Sequence, residues 1–290
     1  MRTSTPSKGS CALCLRESLL RNSHIIPSFF GTYLKHTSAT GYLRSGDSPN
    51  VRIQDLPRQK LLCSSCEGRL AVWEKYFKEN VLKSVQTDGL KQLRYSPSLL
   101  PFLVSLSWRI LVIQRELLSR THPHFARAVS RTLENWRLFL LGERNQPGSE
   151  HHMFVIAGVP TKMPDHSHEK MLHYLLRGID ACTVGDSRTL FVYTKPLRLL
   201  VFSPVIPTSV KGWINTRVYS GVGKLISPQQ IEMPGFLDFL NSRVTDGHAK
   251  QVSDIQARRI REAIIKQPKR ALASESYRVN EATKQFTKTR

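Results

Sequence analysis

The chain has 290 residues, 40% hydrophobic and 22% charged, a composition typical of a soluble globular protein with length enough to build a core. Its 43 Lys and Arg against 22 Asp and Glu give a formal net charge of +21 and point to a polyanionic partner, since surface cations bind phosphates by releasing their counterions. No run reaches the roughly 18 apolar residues of a membrane span, and the opening MRTSTPSKGS lacks the apolar centre of a secretory signal, so a cytoplasmic protein with no membrane association is expected.

Residues 1–10 read as a flexible lead-in, and 11–97 as a compact module bounded by two Cys-x-x-Cys knuckles, Cys11/Cys14 and Cys63/Cys66. The two-residue spacer lets both sulfurs of a knuckle face one ion, so the four cysteines predict a tetrahedral structural zinc site. Cys182 is left over and reads as a free thiol. Between the knuckles, Pro27 suits a helix N1 position, and Phe29, Phe30 and Leu34 give a short apolar face ending near His36. Gly46-Asp47 lies between Tyr42/Leu43 and Val51/Ile53, the pattern of a hairpin or an irregular loop. After the second knuckle, Leu70, Trp73, Tyr76, Phe77 and Val81 recur at three- and four-residue spacing and predict an amphipathic helix.

Ser96-Pro97 closes the module, and residues 98–146 form a helical segment. It holds one buried helix over 98–119 and a second over 122–142 with Phe125, Val129, Leu133, Trp136 and Leu140 on one side. Gln146-Pro147-Gly148 is a break. An α+β body follows over 147–268, with β-like runs at 153–157, 190–193, 197–205 and 213–219 and a basic helix over 254–266. Residues 269–290 read as a mobile basic tail. Positive charge is densest from residue 250 onward, where Arg258, Arg259, Arg261, Lys266, Lys269 and Arg270 form the best candidate for contacting phosphates; a solvated helix face is the plain alternative. His151, His152, His166, His168 and His173, with Asp165 and Glu169, read better as incidental residues of a polar loop than as a metal site. The four tryptophans read as core rather than as base-stacking platforms.

The order knuckle, Ser23-His24-Ile25-Ile26-Pro27, helix, loop, Leu62-Cys63-Ser64-Ser65-Cys66-Glu67, helix resembles the HNH, or ββα-metal, endonuclease family in its zinc-stapled, treble-clef-like form. The resemblance covers roughly residues 11–80. It implies that His24 is the general base and that a divalent ion, Mg or Mn, assists phosphodiester hydrolysis. Two positions depart from the family pattern. Ser23 stands where the family carries a metal-ligating Asp, and Glu67 where it carries a His. Glu67 can still offer carboxylate oxygens to a hard ion, although it also suits a helix N-terminus through the dipole alone. The family's Asn has only a loose counterpart, near Asp55 or Gln59. The fold expected is α+β: an N-terminal treble-clef/HNH-like module, a helical middle and a β-rich C-terminal part with a basic helix and tail. Two functions follow. One is a metal-dependent endonuclease with catalytic His24 and Glu67, acting on nucleic acid and on DNA before RNA. The other is a non-catalytic zinc-binding protein that recognises DNA or RNA with the same frame.

Overall fold

A computed structural model describes residues 7–160, 162–206, 210 and 212–288. Most of the expected lead-in and the last two residues of the expected tail lie outside that set. The N-terminal part begins with β1 (Ser7–Ser10) and β2 (Glu17–His24), followed by α1 (Ser28–His36) and the hairpin β3 (Leu43–Ser45)/β4 (Ser48–Ile53). Next come β5 (Arg58–Cys63), α2 (Ser64–Asn80), the single turn α3 (Leu82–Val85) and β6 (Gln92–Tyr95). β1, β2 and β5 form an antiparallel sheet in that order. Pro27 lies one residue before the first turn of α1.

Two helices follow, α4 (Leu99–Thr121) and α5 (Ala126–Leu141). From Leu99 to Leu111 every residue of α4 except Pro101 is buried. A helix apolar on all sides must be central, and α4 packs against α2, α5 and the second sheet. Its Phe102 stacks on Phe77 of α2, with ring centroids 4.1 Å apart, and Phe29 and Phe30 of α1 close the cluster. Trp108 and Trp136 are wholly buried in the same core, as expected of them. That core runs without interruption from Cys11 to Leu225, so residues 97 and 146 mark changes of texture but no break in packing.

The second sheet is antiparallel, built from β7 (His152–Val155), β8 (Ile179–Gly185), β9 (Leu190–Pro196) and β10 (Leu199–Pro204), with α6 (Met171–Arg177) leading into β8. The spatial order is β7-β10-β9-β8. Every residue of β9 and β10 is buried, because α4 covers one face and a second cluster, with Leu172, Tyr174 and Leu240, covers the other. β11 (Gly223–Ile226) returns to pair with β6. In place of the β-like run at 213–219 there are two isolated bridges, from Ile214 to Gln230 and from Arg217 to His152.

Four helices complete the chain: α7 (Phe236–His248), α8 (Asp254–Lys266), α9 (Pro268–Ala273) and α10 (Glu275–Lys288). The expected mobile tail is therefore largely helical. Val279 is 1% exposed and packs in the second cluster, and a row of polar ties fixes the segment to the N-terminal module. Glu275 pairs with Arg177 at 3.0 Å and accepts from the Tyr33 hydroxyl. Asp88 bridges Arg198 and Arg278, each at 2.6 Å.

The histidines at the start of β7 also depart from the loop reading. His151 Nδ1 lies 2.7 Å from Ser203 Oγ and His152 Nδ1 lies 3.0 Å from Thr216 Oγ1, both inside the protein. Burial pushes the two pKa values down, to about 3 for His151 and about 4 for His152. The unfolded chain instead protonates both near pH 6.5. Their neutral burial thus favours the native state fully above about pH 6.5, and the advantage is lost as pH falls towards 4. Urea midpoints measured from pH 7 to 4.5 should fall accordingly, and His151→Asn should flatten the slope. Phe77→Ala should lower the unfolding free energy by about 3–5 kcal/mol in the same assay.

Candidate functional site

The register of the first sheet brings the two knuckles together. Cys11 and Cys14 occupy the loop joining β1 to β2, where Cys11 N donates to Arg16 O and Leu15 N to Cys11 O at 2.8 Å. Leu15 takes a left-handed φ of 62° to close that turn, a conformation that costs a residue with a Cβ about 1–2 kcal/mol. β5 ends at Cys63, which pairs with Leu20 of β2, and the chain turns directly into α2 with Cys66 in its first turn. The four sulfurs lie within 4.8 Å of one another. Cys14 Sγ and Cys63 Sγ are 3.9 Å apart, close to the roughly 3.8 Å that a tetrahedral ion with 2.3 Å metal–sulfur bonds requires.

The surroundings favour a thiolate at Cys11. Cys63 N–H donates to Cys11 Sγ at 3.3 Å, and the positive end of α2 points at the knuckles. Burial pushes the Cys11 thiol up, but backbone N–H groups of Cys14, Cys63 and Leu13 outweigh it and bring the pKa down to about 7. Cys66 moves the other way, raised by burial and by the sulfurs of Cys63 and Cys11. Burial also raises Cys14. Four anions cannot share this space unaided, and a cation at their centre removes the conflict. The tetrad can hold a metal ion, and it is the one such group of three or more ligands among the described residues. The histidine-rich stretch around His166 and His168 forms no comparable cluster.

His24 sits at the end of β2, four residues beyond Leu20, or about 13 Å along the strand. The tetrad therefore braces the strand at one end while His24 stands clear of it at the other. The His24 side chain is 21% exposed, and its Nε2 lies 3.0 Å from Asp55 Oδ1 and 3.0 Å from Arg58 Nε. Carrying the proton, Nε2 donates to Asp55 and leaves the lone pair on Nδ1; without it, Nε2 accepts from Arg58. Asp55 and Arg58 are themselves ion-paired. Against the upward push of burial, hydrogen bonds from His24, the Leu56 N–H and Arg58 hold the Asp55 carboxyl below its usual range. The His24 backbone is also anchored, since Arg109 of α4 reaches its carbonyl at 3.4 Å while paired with Glu74 of α2.

Ser23 and Glu67 share a feature. Ser23 is 2% exposed and its Oγ has no hydrogen-bond partner. Glu67 follows Cys66 in the first turn of α2, and its Oε1 is likewise buried without a partner. β2 and α2 pack against each other. A buried oxygen left without a partner carries a desolvation penalty, which a bound cation would relieve.

Arg258, Arg259, Arg261 and Lys266 are all exposed on α8. Lys269 and Arg270 lie on α9, but Arg270 is engaged in the fold: its guanidinium donates to Ser38 O and Lys35 O at the end of α1. Not visible in the sequence were Arg58, which opens β5 in a polar Arg-Gln-Lys run that gives no sign of a partner 34 positions earlier, and Arg109, which is hidden in an apolar helix.

Cys63→Ser should abolish metal binding and expose the first sheet. Elemental analysis of the purified chain should give one ion per wild-type molecule and none in the variant, with faster proteolysis near residues 11–63. No protein-family model, curated protein or solved structure matches the chain, so its function rests on the geometry of this site.

Proposed function

We propose that the chain is a nucleic-acid endonuclease of altered HNH type, with zinc as the ion of the cysteine tetrad. The observation that carries this reading is the His24–Asp55 pair at the end of β2, next in sequence to the unpartnered oxygen of Ser23. Zinc suits four thiolates and supplies folding energy there without chemistry of its own.

Asp55, an anion over the working pH range, holds the His24 ring with Nε2 protonated, which leaves Nδ1 to accept a proton from an attacking water. A histidine serves that task near neutral pH. The unpartnered oxygens of Ser23 and Glu67 are the groups that would hold a hard divalent ion, since Mg commonly uses one or two carboxylates and takes the rest of its ligands from water and phosphate. When bound, such an ion supplies positive charge for the phosphate oxygens. The second reading, a non-catalytic binding module, is favoured by one specific contact. Arg58 Nε points at the same ring nitrogen as Asp55, and in that tautomer His24 acts as a clasp between β2 and β5.

Supercoiled plasmid incubated with protein dialysed free of Mg and Mn, its zinc retained, separates the two. With Mg or Mn restored, wild-type protein should nick the DNA, His24→Ala should lose at least about 100-fold in rate, and Glu67→Gln should need more metal for the same rate. A protein that keeps its zinc and nicks nothing under any added ion would sink the endonuclease reading and leave the binding module.

A further inference from the structure

α8 is an outlier in this fold. Only Gln256 of its 13 residues is buried, although a helix of this length is marginal without packing. It is held by a local cap, Ser253 Oγ accepting from Gln256 N, and by its base. With its amide oriented to suit its neighbours, Gln256 accepts from Arg44 of β3 at 2.7 and 3.0 Å. Just before the helix, Ser253 N donates to Asn50 Oδ1 and Lys250 Nζ to Asp47 O. The helix therefore stands on the β3–β4 hairpin and projects the rest of its surface outward.

At 100° per residue, Gln256, Ala257, Ile260 and Ala263 form the inward side. The outward side carries Arg258, Arg259, Arg261 and Lys266, with Ile255 58% and Ile265 75% exposed between them. Two acids share that face, Asp254 at its start and Glu262, which lies 4.0 Å from Arg258. No ion pair occupies Arg259, Arg261 or Lys266 among the described residues. The supporting hairpin extends the same charge, with the Arg52 guanidinium 4.1 Å over the Tyr42 ring.

We infer that α8 is a duplex-reading helix, which enters the major groove of DNA while the β3–β4 hairpin beneath it meets the flanking phosphates. This inference rests on the nucleic-acid reading above. The reasons are physical. A 13-residue helix is about 20 Å long, and the DNA major groove admits one. Four outward cations match its phosphate walls, and exposed isoleucines can contact thymine methyl groups. The deep, narrow major groove of double-stranded RNA excludes such a helix, and single strands offer no groove.

The test uses full-length His24→Ala protein, so that binding is read without cleavage, and labelled 20-mers of duplex DNA, duplex RNA and single-stranded DNA in fluorescence anisotropy across salt. Duplex DNA should bind most tightly. Arg259→Ala/Arg261→Ala should weaken it at least about tenfold and lower the slope of log affinity against log salt by about two. Ile265→Ser should weaken duplex DNA binding and leave the slope unchanged. Equal or tighter binding of either other nucleic acid, or of anionic phosphatidylglycerol vesicles, would overturn the inference, as would a double variant with unchanged affinity and slope. His24-dependent nicking that persists through such a result would leave the endonuclease reading standing and remove only the role of α8. Circular dichroism of both variants should match the parent, since the substituted side chains touch no core.

Discussion

Four sulfur atoms crowded within 4.8 Å are the constraint on which the N-terminal half depends. Sulfur anions at that spacing repel, and neutral thiols offer little cohesion, so a cation is what turns the crowding into attraction. Around that requirement the local structure is consistent. The tight turn at Leu15 brings Cys11 and Cys14 to one side, the β2–β5 register delivers Cys63, and the first turn of α2 delivers Cys66. Even α5 contributes, through Arg137, which donates to Leu13 O within the first knuckle and is paired with Glu134.

What joins this module to the rest is a shared core pierced by arginines. Arg109, Arg177 and Arg198 are buried or nearly so, and each has a carboxylate partner. Removing one partner from such a pair leaves a buried charge and destabilises by several kcal/mol, whereas the intact pair adds little net stability. Their effect is on geometry. Arg109 fixes the backbone of His24 relative to α2 and α4, and Arg177 fixes the end of α1 relative to α10. The position of the histidine is thus set from three sides by groups with few alternatives.

Much of this was legible in the sequence. The knuckles, α2, α4, α5 and the β3–β4 hairpin follow from spacing and periodicity, because each is a local pattern. β9 and β10 also showed, as unbroken apolar runs. The strands flanking the knuckles did not, since β2 reads Glu-Ser-Leu-Leu-Arg-Asn-Ser-His and gains its strand character only from pairing with β5. β8 is half-buried along its length and shows no apolar run. α10 looked like a loose tail because its composition is polar, and the single buried Val279 with two long-range ion pairs, Glu275–Arg177 and Arg278–Asp88, decides otherwise. At the site, the tetrad was readable, whereas Asp55 had only a loose match and Arg58 had none. Pairings between residues more than 30 positions apart are properties of register, which a sequence encodes without displaying.

The contact between Tyr33 and Glu275 spans 242 positions. During synthesis at about 5–20 residues per second, α1 emerges roughly 12–50 s before the helix that covers it. The cysteine knuckles and His24 are all made in the first quarter of the chain, yet the last brace on α1 arrives only with α10. Over that interval α1 lacks this brace, and an ion held by the sulfur cluster, whose last ligand is Cys66, would be one of the earliest ties on the nascent module, ahead of the α4 packing that follows.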